Sequence, residues 1–63
     1  MTPAPVGTRV RVIGRSVPHH YTIGETYTVT IVDDDNTFKA AGADGETRDW
    51  ISWDDCEPAS PSL

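Results

Sequence analysis

Sixty-three residues make a single domain, and a chain this short buries only about 60% of the surface its unfolded form exposes, which leaves little structure for an enclosed active site. Ten Asp and Glu against five Lys and Arg give a net charge of −5, a balance that disfavours a phosphate backbone as the main partner. With 37% hydrophobic and 24% charged residues the composition is globular rather than disordered, and the one cysteine, Cys56, excludes an internal disulfide.

No apolar run is long enough to span a membrane, and the opening Met-Thr-Pro-Ala-Pro has no secretory pattern. A cytoplasmic protein is therefore expected. Residues 1–5 carry two prolines and read as a flexible lead-in, with the folded part over residues 6–57 and a disordered tail over 58–63.

The first strand is expected within residues 7–14, where Val10 and Val12 alternate with Arg9 and Arg11 between two glycines. Residues 15–24, with Pro18, His19, His20, Tyr21 and Ile23, have no period and read as a long ordered loop in which Tyr21 and Ile23 turn inward. Residues 25–32 form the clearest strand: Tyr27, Val29 and Ile31 on one face, Thr26, Thr28 and Thr30 on the other. Asp33-Asp34-Asp35-Asn36 supplies a turn.

A third strand follows at residues 37–41 with Phe38 and Ala40 inward, then a turn over residues 42–45. A fourth strand is expected at residues 46–51, Asp49 and Ile51 on one face, Arg48 and Trp50 on the other; Ile51 in the core places Trp50 at the surface. Residues 52–55 read as a short link with one 3₁₀ turn, and Cys56 and Glu57 as a stub of a fifth strand. No stretch long enough for a helix carries helical apolar spacing, so the fold class is all-β.

Two segments resemble a known family. Gly24-Glu25-Thr26-Tyr27-Thr28-Val29 is similar to the segment that opens the second strand of Src-homology-3 domains, and Trp50-Ile51-Ser52-Trp53-Asp54-Asp55-Cys56-Glu57 to their closing segment. The resemblance, over residues 21–57, implies a five-stranded Src-homology-3-like barrel. It does not extend to the proline-peptide groove: Thr37 stands where that family has its ligand-facing tryptophan, and Ser52 and Asp55 where it has a proline and a tyrosine. Scaffold and ligand chemistry are separable.

The chemistry-bearing residues are few. His19-His20 lacks the further Cys or His ligands that zinc requires and reads as a pair of exposed loop histidines. Asp33-Asp34-Asp35-Asn36 lacks the glycine and the distal Glu of a calcium loop. Cys56 has no adjacent base and matches a core valine in the resembling family, so burial is expected. Neither a catalytic constellation nor a cofactor motif is present, and no enzyme activity or cofactor is expected.

The aromatics remain. Both faces of a closing strand cannot point inward, so at least one of Trp50 and Trp53 is expected at the surface unless both cap the open end of the barrel. Tryptophan beside Asp54 and Asp55 has the make-up of a protein-recognition hot spot. The expectation is a non-catalytic module that binds a protein through Trp50, Trp53, Asp54 and Asp55, with His19, His20 and Tyr21 beside them, as a monomer or weak homo-oligomer. By analogy it resembles small phage-encoded barrels that bind and modulate a host protein. The alternatives are nucleic-acid binding through Arg9, Arg11 and Arg15, or a structural or assembly component.

Overall fold

A computed structural model of the chain describes residues 1–43, 45 and 49–59. It holds five strands, β1 (Arg9–Val12), β2 (Thr26–Val32), β3 (Thr37–Ala41), β4 (Ile51–Ser52) and β5 (Cys56–Pro58), with a 3₁₀ turn at Trp53–Asp55. All lie in one antiparallel sheet in the order β4-β3-β2-β1-β5. β4 and β5 are its two edges and do not pair with each other among the described residues, so hydrogen bonds do not close the sheet. No helix among the described residues is long and apolar enough to cross a membrane.

Alternation decides which side chains meet. Val10, Val12, Tyr27, Val29, Phe38, Ala40 and Ile51 point to one face and are buried, with Tyr21, Trp53 and Cys56 completing the core. Phe38 stacks on Trp53 with ring centroids 3.9 Å apart. Such a pair adds about 0.5–1.5 kcal/mol to its area burial. The Trp53 Nε1 hydrogen has no partner among the described residues, a cost of about 1–3 kcal/mol that the packing must exceed.

The alternation breaks once, inside β2. Val29 pairs with Ala40 and Ile31 with Lys39, so two steps along β2 oppose one along β3. Thr30 is the extra residue, and its Oγ1 donates to the Lys39 carbonyl at 3.2 Å. One inserted residue turns everything beyond it to the other face. Ile31, expected in the core, is consequently 46% exposed; Val32, paired with Phe38, is 43% exposed because the strand ends there. Two left-handed positions complete the hairpins: Gly24 (φ 95°) in the turn entering β2, and Asn36 (φ 70°), a residue type that tolerates this region, in the turn entering β3.

The expected loop over residues 15–24 is ordered through side chains. Tyr21 is buried; its hydroxyl donates to the Ala40 carbonyl (3.2 Å) and accepts from the Ala40 amide (3.0 Å). The Tyr27 hydroxyl accepts from the Thr22 amide at 2.9 Å. Ile23 does not turn inward as expected: it is 48% exposed, because Tyr21 already fills the space under the loop.

The fourth strand is shorter than expected. β4 holds only Ile51 and Ser52, while residues 46–48 of the expected strand lie outside the described residues. The lead-in touches the fold: the Met1 ammonium donates to the carbonyls of Trp53 (2.9 Å) and Cys56 (3.3 Å), and Met1 and Ala4 pack against the core. The expected tail begins late as well, since Pro58 belongs to β5 and the Ala59 amide donates to the Arg9 carbonyl at 3.1 Å; the rest of that tail, 60–63, lies outside the described residues.

The bulge makes a clear prediction. Ile31→Thr is expected to change the unfolding free energy by less than about 0.5 kcal/mol, whereas Val29→Thr, one rung earlier and buried, is expected to cost about 2 kcal/mol or more. Chemical denaturation measures both, and equal losses would place Ile31 in the core and remove the bulge.

Candidate interaction surface

The outer face of the sheet carries the side chains that alternation turns away from the core. Along its length the pairing sets up rungs. One holds Arg9, Thr28 and Ala41. Beyond the bulge comes Ile31 opposite Lys39. Because Phe38 pairs with Ile51, the residue before Ile51 falls beside Lys39, and there Trp50 lies with the Lys39 ammonium 4.9 Å from its ring centroid. Trp50 is 40% exposed. Ile31, the Lys39 stem and Trp50 thus make a short apolar row across three strands, topped by one charge engaged in a cation–π contact.

The next rung on the same face is acidic. The Asp33 amide donates to the Thr37 carbonyl at 3.0 Å, continuing the β2–β3 ladder, and the Thr37 hydroxyl donates to Asp35 Oδ1 at 2.5 Å. Asp33, Asp34 and Asp35 are all exposed. None of the three is in an ion pair among the described residues, whose ion pairs are Arg11–Glu57 and His20–Asp49. At the other end of the face, a shallow polar groove of about 650 Å³ opens over Arg9, Thr26, Thr28 and Gly42.

Of the seven expected contact residues, Trp50, Asp54 and His20 are at the surface. His20 Nδ1 bonds the Asp49 carboxylate, which brings the loop to the residue next to Trp50. Trp53, Tyr21, His19 and Asp55 are buried and present no surface to a partner. Each has a structural task instead. Trp53 and Tyr21 are core rings. His19, expected exposed, uses both ring nitrogens: Nε2 lies 2.9 Å from the Gly14 carbonyl and Nδ1 accepts from the Tyr21 amide at 3.2 Å. That pattern is the neutral tautomer with its hydrogen on Nε2.

Asp55 clasps the loop to the 3₁₀ turn. Its Oδ1 accepts from the Ser16 amide at 2.8 Å, and its carbonyl accepts from the amides of Ile13 (2.7 Å) and Gly14 (3.2 Å). Burial by itself raises the pKa of this carboxyl. The Ser16 amide, with the Ser16 hydroxyl and Val17 amide also turned toward it, outweighs that effect and holds it below the ordinary carboxylate value. Cys56 next to it is buried as expected, and burial, with the Asp55 charge adding to it, pushes the thiol up to about 12.

Sequence reasoning missed Lys39 as the neighbour of Trp50, and Ile31 and Asp33–Asp35 as residues of the same face. The signal present was the acidic run after the clearest strand; the bulge that turns Ile31 outward beside it left none. The cationic alternative finds its arginines engaged within the fold: Arg11 Nη1 on Glu57 (3.1 Å), Arg9 Nη2 on Thr26 Oγ1 (3.1 Å), and Arg15 Nη2 on the Tyr21 carbonyl (2.8 Å). Comparison with protein-family models, curated proteins and solved structures finds no match.

Two predictions concern the buried groups. A carboxyl whose folded pKa is depressed contributes stability that is complete above its unfolded pKa of about 3.9 and is lost as pH falls through the lower folded value. Asp55→Asn is therefore expected to be less stable at pH 7 by about 1–2 kcal/mol and to lose less stability than wild type below about pH 4; denaturation curves at a series of pH values that run parallel for both proteins would remove the charge from the clasp. The Cys56 thiol is expected to resist a thiol-specific reagent at pH 8 in the folded protein and to react at once in denaturant. Fast labelling of the native chain would show an accessible thiolate.

Proposed function

We propose that this chain is a small non-catalytic protein-interaction module, built on a Src-homology-3-like barrel and binding through the outer face around Trp50. The fold reading is supported by the sequence of elements. A long loop anchored by Tyr21 precedes β2, two hairpins follow, and a 3₁₀ turn stands before the last strand, which are the parts the resemblance implies. The sheet order β4-β3-β2-β1-β5 lets the chain curl around one core.

One observation carries the functional reading: Trp50 and Ile31 are 40% and 46% exposed on one sheet face, on either side of Lys39. A tryptophan held in place by a neighbouring lysine, on a face whose next rung is acidic, has the composition of a recognition centre: an aromatic anchor with a polar rim. Its partner is reached by surface contact, without chemistry on a substrate.

Trp50→Ala is expected to leave the unfolding free energy within about 0.5–1 kcal/mol of wild type while removing the proteins that the immobilised wild-type chain retains specifically from its native host, as measured by mass spectrometry. Retention of the same proteins by Trp50→Ala, or loss of its fold, would end the proposal.

A further inference from the structure

We infer that the partner lays on this face an extended, unstructured segment carrying an apolar side chain and a cation two residues apart. The inference rests on the interaction reading above and adds the partner's chemistry to it.

The spacing comes from the sheet. The apolar row, Ile31–Lys39–Trp50, and the acidic rung, Asp33 and Thr37 with Asp35, are two residues apart along β2 and β3. Two residues of strand span roughly 6.4–6.8 Å. An extended segment repeats its side chains on one face over the same distance, so residue i reaches Trp50 and Ile31 while residue i+2 reaches the carboxylates. A helix offers neighbours at i+3 and i+4 and does not reproduce this pitch.

The charge comes from the rim. Asp33 Oδ1 accepts from the Asp34 amide and Asp35 Oδ1 from the Thr37 hydroxyl. Among the described residues neither one's second oxygen is bonded and no cation meets them. Lys39, the described cation within the row, is turned onto the Trp50 ring. It repels a second cation there and steers the partner's charge to the aspartates. The net charge of −5 works in the same direction, raising the encounter rate with basic chains and lowering it with polyanions.

The test uses the full isotopically labelled chain and synthetic capped glycine–serine peptides with three tandem repeats of one leucine and one arginine. In the first peptide the two are two positions apart, in the second adjacent, and in the third glutamate replaces arginine at the first spacing. Binding is followed by NMR through the Trp50 indole and the Asp33–Asp35 amides, at low and high salt. The first peptide is expected to bind at least about fivefold more tightly than either control, with the difference lost in high salt. Asp33→Asn with Asp35→Asn is expected to abolish the preference for arginine over glutamate but keep residual contact with the indole. Trp50→Ala is expected to abolish binding.

Equal affinity for all three peptides, or none for any, overturns the segment chemistry. If Trp50→Ala still removes the host proteins retained by wild type, the interaction reading survives that result. A short DNA duplex that shifts the Trp50 indole while no peptide does would overturn both.

Discussion

Thr30 is the residue on which the outer face depends. Without the inserted residue, β2 would run Tyr27, Val29, Ile31 into the core and present only threonines and Val32 outward. With it, the ladder to β3 resumes one residue later, and Ile31 arrives on the solvent face opposite Lys39. A domain of this size has few apolar side chains to spare, and exposing an isoleucine forgoes roughly 1.5–3 kcal/mol that burial would contribute. The Thr30 hydroxyl on the Lys39 carbonyl makes up only a fraction of that. Bulges of this sort are found where a strand must re-aim a side chain, and what this one re-aims is the flank of Trp50.

The other half of the molecule is organised around buried polar groups that bond the backbone, with Asp55 Oδ2 left without a partner among the described residues. The Tyr21 hydroxyl takes both backbone groups of Ala40, so a loop residue stands in for a strand neighbour. His19 bridges Gly14 and the Tyr21 amide, and Asp55 holds Ser16 and, through its carbonyl, Ile13 and Gly14. A long loop would otherwise leave its amides to water and its conformation to chance. Because these three side chains span from the loop to β3 and to the 3₁₀ turn, the loop behaves as part of the core, and its ends fix where β1 stops and where β5 begins.

Much of the fold is legible in the residues. Val10–Val12, Tyr27–Val29 and Phe38–Ala40 alternate over stretches too short for a helix, and the glycines and aspartates between them mark turns. The site is less so, for two physical reasons. A bulge leaves no mark in composition: Thr30 reads as one more outward threonine, and only the pairing partner shows that it is extra. Polar residues also have two ways of being important. Asp55 and His19 look like contact residues in a list, yet their carboxylate and ring are consumed by backbone amides and carbonyls that become neighbours only after the chain has folded. Trp50 was legible because its neighbour Ile51 had to be inside.

The two tryptophans show how three residues of chain separate a core ring from a surface ring. Ile51 and Ser52 occupy one β4 rung each, so alternation would send Trp53 to the face opposite Ser52 and hence inward. The 3₁₀ turn that starts there then tightens the chain and presses the ring onto Phe38. Trp50, one residue before β4, falls on the outward phase and meets Lys39 instead. The inner ring is fully buried, and its indole hydrogen has no partner among the described residues. The outer one keeps part of its face and edge in water. The core packing thereby rests on Trp53, while Trp50 is the ring left at the surface, so that a change at the second ring need not disturb the first.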